Sequence, residues 1–197
     1  MTSTTPTGWD LLDTARAALR AVAAGLADDD ARPTPCADWT VTQVLQHAAG
    51  DQLAWASSIS GSAPPAENPF APSGHLGASP VTVADEALEA SAPAWANTSA
   101  DAEQLPTPLP QGPMAPSLAA AACALDAAVH AWDIAAATGQ ESPLSKETAR
   151  QLEPAARQIV EPLRGFAYAN ALDPVPGDDA AAALLRYLGR DPNWVAS

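Results

Sequence analysis

Apolar residues recur along this chain at the alternating three- and four-residue steps of amphipathic helices. A first stripe predicts a helix from about residue 8 to 26, and a second predicts a helix from about 40 to 59 that is capped by Asp38 or Thr40. The first stripe consists of Leu12, Ala15, Leu19, Val22 and Leu26, and the second of Val41, Val44, Ala48, Trp55 and Ile59. Each helix therefore has one face that must pack against a shared core.

Four more helices are predicted downstream, at about 81–96, 116–138, 145–163 and 179–188. Ser145 is a cap, Gly139 a C-terminal stop, and Pro154 is expected to kink its helix. Residues 105–113 are expected to be extended, and no segment alternates strictly enough to predict a strand. We therefore predict an all-α fold, an antiparallel four-helix bundle with an additional C-terminal helix, as a single domain over residues 1–197.

Residues 60–80 interrupt this helical pattern with a long stretch that is rich in proline and glycine. An irregular segment of this length inside a compact domain is typical of a lid or a binding element. It contains His75.

The charge of the chain narrows its possible partners. With 9 basic and 23 acidic residues the formal net charge is −14, which argues against nucleic acid and anionic membrane surfaces as partners. No apolar run approaches about 20 residues, so no membrane-spanning segment is expected. The N-terminus lacks a signal-peptide pattern, and two cysteines are too few for a disulfide framework. We therefore expect a cytoplasmic protein.

Two of the predicted helices each carry one histidine near the apolar face. His47 lies on the second helix, and Asp126 and His130 lie on the fourth, four residues and roughly 40° apart around the helix axis. Together they could form a three-ligand site for a divalent metal such as zinc, with an open position. The same three residues could instead form a hydrogen-bonded network. Asp133 is a candidate for orienting an imidazole, or it faces solvent.

The cysteines and tryptophans are less informative. Cys123 lies seven residues before His130, about 10.5 Å along the helix, which is too far to share an ion and predicts a core residue. Cys36 lies in a proline-bounded loop, and a nucleophilic role is not expected. Trp55 and Trp132 are expected either to line a pocket near the histidines or to pack in the core.

Three segments resemble one family. Residues 34–47 (TPCADWTVTQVLQH), 129–139 (VHAWDIAAATG) and 183–192 (ALLRYLGRDP) are similar to motifs of actinobacterial proteins related to the N-terminal domain of mycothiol-dependent maleylpyruvate isomerase. That family belongs to the DinB-like superfamily of four-helix bundles. The resemblance implies a metal bound by His47, Asp126 and His130.

The chain departs from the family pattern at two places. The family usually has glutamate where this chain has Asp126, so the side chain is one methylene shorter. The stretch before the last helix is replaced by residues 166–172 (FAYANAL), which indicates an altered pocket wall.

The resemblance implies a metal-dependent enzyme of small-molecule metabolism, a transferase or isomerase that uses a thiol such as mycothiol as co-substrate. A hydrolase that activates water with the same metal ligands is one alternative. A metal-free pocket protein, acting as a ligand-binding or biosynthetic auxiliary with the loop around His75 as its gate, is the other. The expected partners are a small-molecule substrate and, at most, a second copy of the chain.

Overall fold

Six α-helices make up the regular structure of the computed structural model, which describes residues 4–37 and 39–196. They are α1 (Asp10–Ala23), α2 (Val41–Ser60), α3 (Pro80–Ala96), α4 (Pro116–Thr138), α5 (Lys146–Ile159) and α6 (Ala180–Tyr187). A 3₁₀ turn, Glu161–Leu163, follows α5. No β-strand forms within the described ranges, so the predicted all-α class is confirmed.

The helix ends follow from local side-chain chemistry. The Thr40 hydroxyl accepts the Gln43 backbone N–H, and the Gln43 side chain accepts the Thr40 backbone N–H, which is a capping box at the start of α2. The alternative cap, Asp38, lies outside the described residues. Gly139 ends α4 in the left-handed conformation at φ 71°, where a residue with a Cβ is strained.

The bundle is organised around α4, which packs between α1 and α2 and also contacts α5. The remaining bundle helix, α3, packs against α1 and α2, and α6 packs against α5. Most residues of α4 are buried, and many are alanines, whose small side chains let neighbouring helices approach closely. A polar side chain on α4 is therefore placed in the middle of the protein.

By length and composition α4 could cross a membrane, contrary to the sequence expectation that no such segment exists. In the structure 83% of its apolar window is buried inside the protein, as in the core helix of a soluble bundle. The apolar character of α4 is therefore explained by its central position.

Three elements differ from the sequence expectation. The first helix is shorter at both ends than the predicted 8–26. The fifth helix runs through Pro154 and ends at Ile159, and the predicted continuation to Leu163 is the 3₁₀ turn. The segment predicted to be extended instead folds back through a turn at residues 108–111, so that Leu105 and Met114 form an isolated antiparallel bridge.

The turn after α6 holds residues 164–172 against the bundle through a close backbone contact. Gly189 has a φ of +81°, and a Cβ placed on it would lie 2.8 Å from both the Ala169 Cβ and the Asn170 carbonyl oxygen. The Leu172 N–H also donates to the Arg186 carbonyl oxygen at 2.9 Å. This contact brings the altered stretch of the sequence beside the last helix.

We expect the substitution Gly189→Ala to lower the free energy of unfolding by more than the substitution Gly177→Ala. Both glycines have positive φ, which costs roughly 1–2 kcal/mol for an L-residue, but no atom lies within 4 Å of a Cβ at Gly177. The clash at Gly189 adds about 1–3 kcal/mol. Urea denaturation of both variants measures the difference, and equal losses would contradict the close contact.

Candidate functional site

The three ligands predicted from the sequence meet in the interior of the bundle. His47 comes from α2, and Asp126 and His130 come from α4. Asp126 Oδ1 lies 3.3 Å from His47 Nε2 and 3.4 Å from His130 Nε2. One donor atom from each residue lies within 4.8 Å of the other two. The structure thus brings together the residues that the spacing and the resemblance single out.

Both imidazoles are fixed through their other ring nitrogen. His47 Nδ1 lies 2.9 Å from the Pro69 carbonyl oxygen, and His130 Nδ1 lies 3.0 Å from Asp133 Oδ2. Carbonyl and carboxylate oxygens only accept, so each Nδ1 carries the proton and donates. In a neutral imidazole the lone pair is then on Nε2, directed at Asp126. The predicted orienting contact of Asp133 is present.

The arrangement fits a divalent metal. Two Nε2 lone pairs and a carboxylate oxygen are electron-pair donors, and a His₂-carboxylate set is typical of zinc. Donors bound tetrahedrally at about 2.0–2.1 Å are separated by about 3.3–3.4 Å, which matches the two distances to Asp126 Oδ1. In addition, Asp126 Oδ2 is buried and has no hydrogen-bond partner among the described residues. A cation at this point would be bound by Asp126 Oδ1 and both imidazoles, and it would balance the charge of the carboxylate.

A buried ion pair between Asp133 and Arg190 fixes the position of the His130 ring. Asp133 is 0% exposed, and Arg190 Nε and Nη2 donate to its two oxygens at 3.2 and 3.0 Å. Burial alone would raise the pKa of Asp133, but Arg190 and His130 outweigh it and lower that pKa. The Asp133 carboxylate is therefore charged, and it does not face solvent, which was one of the two sequence expectations.

Electrostatics in the site are dominated by close charges of opposite sign. Burial alone would lower the pKa of His130, but Asp126 and Asp133 raise it to about 10. Burial likewise opposes the charge on Asp126, yet His130 and His47 lower its pKa well below the usual range. A positive charge next to Asp126 is thus favoured. It can be carried by a proton on His130 or by a metal ion bound to the three donors.

A cavity of about 330 Å³ opens over these donors. The Trp39 ring packs on His47 with ring centroids 4.7 Å apart, and Phe70 packs on the same imidazole at 5.3 Å. The walls come from α2, α4, the end of α5 and residues 163–168. The altered stretch of the sequence therefore does form part of the cavity wall, as expected.

Asp51 is a cavity residue that sequence reasoning missed. It follows His47 by four residues on α2, lines the cavity, and is buried. Burial raises its pKa well above the ordinary value, and the nearby charge of Asp126 adds to this. The spacing of His47 and Asp51, one helical turn apart, was the available signal.

Arg190 is the other residue missed, although it lies inside the third motif. It is separated from Asp133 by 57 residues in the sequence, and neither periodicity nor spacing pairs them. Only the fold brings the turn after α6 to the middle of α4.

The cysteines occupy different environments. Cys123 is fully buried and accepts from Gln52 Nε2 at 3.2 Å, so the predicted core position is confirmed. Cys36 lines the cavity, and burial raises the pKa of its thiol. Its sulfur also lies near donor atoms of His130 and Asp133, but both Asp133 oxygens are already bound by Arg190. The group of His47, Asp126 and His130 is therefore a better candidate metal site than the group of Cys36, His130 and Asp133.

The remaining residues that the sequence singled out lie in three places: the cavity wall, the core and the surface. Trp55 lines the cavity, whereas Trp132 is buried in the core and is not a lining residue. His75 is 84% exposed and lies 3.6 Å from Asp29, outside the cavity. The loop reaches the site instead through Phe70 and the Pro69 carbonyl.

Comparison with known proteins agrees with the sequence resemblance. The chain matches the family described as the mycothiol maleylpyruvate isomerase N-terminal domain over residues 12–135, a stretch that contains the three donors and Asp133 but not Arg190. It is 32% identical over 139 residues to uncharacterized proteins from two strains of Mycobacterium tuberculosis, and each match covers 69% of both chains. No solved structure matches it. The chain belongs to the family of the mycothiol maleylpyruvate isomerase N-terminal domain.

Proposed function

We propose that this protein is a metal-dependent enzyme of small-molecule metabolism, and that His47, Asp126 and His130 hold one zinc ion. The observation that carries the proposal is the convergence of three electron-pair donors, two of which are imidazoles whose orientation is fixed by Pro69 and Asp133. A buried carboxylate oxygen without a hydrogen-bond partner supports it. Such an arrangement is costly unless a positive charge occupies it.

The co-substrate is a low-molecular-weight thiol such as mycothiol, in line with the family description. A bound divalent ion would favour the thiolate and so supply a nucleophile at neutral pH. In a transfer by addition, the sulfur forms a bond to an electrophilic carbon, and the thiol proton ends on the atom that receives the displaced electron pair. In an isomerisation the same sulfur–carbon bond later breaks, and the thiol is regenerated.

The residues of this chain contribute orientation and exclusion of water. Asp133 and Arg190 hold His130 through its Nδ1, and the Pro69 carbonyl holds His47 in the same way. The aromatic rings of Trp39 and Phe70 cover the His47 imidazole. A nucleophile formed beneath them is shielded from bulk solvent, which strengthens its interaction with nearby charges.

We propose that the protein is soluble and works in the cytoplasm, in line with its acidic composition and the burial of α4. On this proposal it acts on a small molecule and consists of one domain. We propose neither nucleic acid nor a membrane as partner, because the net charge of −14 repels both. A second copy of the chain is compatible with this proposal.

We expect the protein purified without chelator to contain about one equivalent of zinc. His47→Ala should lose most of it, because two protein ligands hold zinc far more weakly than three. His75→Ala is the matched control and should keep the metal, since His75 lies outside the cavity. Elemental analysis measures all three proteins. Negligible zinc in the wild type would sink the proposal and favour a metal-free pocket protein.

Arg190→Met should lower zinc affinity by about tenfold to a hundredfold, because Asp133 loses its cation and no longer holds His130 in place. Arg186→Met is the control, since Arg186 lies on α6, pairs with Asp178 at 2.8 Å and does not line the cavity. Competition with a zinc-binding dye measures affinity in the folded proteins. A loss of stability without a loss of affinity would assign Arg190 a purely structural role.

We expect zinc-dependent consumption of a thiol when the protein is incubated with mycothiol and a panel of electrophiles. His130→Ala should reduce the rate by at least about a hundredfold, and added chelator should have the same effect on the wild type. Mass spectrometry of the products identifies the sulfur adduct. Products that carry water instead of the thiol would indicate the hydrolase alternative.

A further inference from the structure

Two phenyl rings form the mouth of the cavity. Phe70 belongs to the loop between α2 and α3, and Phe166 belongs to the stretch between α5 and α6. They are 47% and 71% exposed, and their centroids lie 5.3 Å apart at an interplanar angle of 35°. Exposed phenyl rings grouped at a cavity mouth are typical of a surface that an apolar ligand covers.

The interior of the cavity continues the apolar surface. Leu109, Val129 and Leu163 line it together with the Trp39 ring. Tyr168 also lines it, and burial, reinforced by Asp126, raises the pKa of its phenol, so that the hydroxyl stays protonated. This hydroxyl can donate a hydrogen bond to an uncharged acceptor such as a carbonyl oxygen.

Among the described lining residues the cavity has no arginine or lysine side chain that is free to pair with an anionic substrate. Arg190 is the single arginine or lysine among the described lining residues, and its Nε and Nη2 are bound to Asp133 while Nη1 donates to the Leu188 carbonyl oxygen. The two charges of a divalent ion would be balanced by Asp126 and a thiolate. A carboxylate entering this site would lose hydration without gaining a free cation.

We infer that the second substrate is an uncharged, flat molecule, an aromatic or conjugated carbonyl compound, which packs against Phe70 and Phe166, and that the cavity discriminates against carboxylates. The inference rests on the proposed function because it takes this cavity as the reaction site. It is carried by the paired rings, the apolar walls and the commitment of Arg190 to Asp133.

The preference can be measured by binding rather than by turnover. Methyl cinnamate and cinnamate differ by one methyl group and by charge. Calorimetry or ligand-observed NMR gives the affinity of each for the zinc-loaded protein saturated with mycothiol and for the chelator-treated protein. We expect the ester to bind at least about tenfold more tightly than the acid. Equal affinities, tighter binding of the acid, or no detectable binding of the ester would overturn the inference.

Two variants locate the binding site. Phe166→Ala should weaken ester binding by about fivefold to tenfold through the loss of aromatic packing. Val195→Ala should not change it, because Val195 is exposed and does not line the cavity. Ala167→Arg adds a cation at an exposed lining position and should strengthen acid binding by about threefold to fivefold, with little change for the ester. Unchanged ester binding by Phe166→Ala would also overturn the inference.

The zinc content separates this inference from the proposed function. Bound zinc together with a preference for the acid would overturn only the substrate class. A preference for the ester in a protein that binds no zinc would overturn only the metal-dependent enzyme.

Discussion

The charge of Asp133 is the constraint on which the site depends. This carboxylate lies on the central helix with no exposure to solvent, so its charge has to be compensated by the protein itself. Arg190 and His130 compensate it: both donate to Asp133 Oδ2, and Arg190 also donates to Oδ1. Because Arg190 lies after α6 and His130 on α4, one electrostatic requirement both orients an imidazole and draws the C-terminal segment onto the bundle.

The packing of the bundle leaves no water to compensate a charge such as that of Asp133. A helix surrounded by α1, α2 and α5 excludes water from most of its surface, and its alanines leave little room for rearrangement. Polar groups on such a helix are stable only if every one of them finds a partner. Asp126 Oδ2 is the group on this face that lacks one among the described residues, and the other oxygen of the same carboxylate, Oδ1, lies between the two imidazoles. The burial that stabilises the fold thus also places an unpartnered carboxylate oxygen next to the candidate metal site.

Sequence reasoning recovered the features that depend on local spacing. Thr40 as one of two candidate caps and the stop at Gly139 could be predicted because they involve neighbouring residues. Asp126 and His130 could be paired because four residues are one helical turn. The burial of Asp133 could not be decided, because α4 is buried on nearly all sides and its apolar pattern therefore does not indicate a direction. Arg190 was missed for a related reason, since its partner lies on a distant helix.

The hydrogen bond between His47 and the Pro69 carbonyl links the loop of residues 61–79 to the metal donors. The loop also lies directly on α2, where a Cβ on Gly50 would come within 2.9 Å of the Pro69 ring. Any movement of the loop that widens the entrance at Phe70 shifts the neighbouring Pro69, and His47 must then exchange its backbone acceptor for water. Access to the cavity at Phe70 and the orientation of His47 therefore depend on the same loop segment.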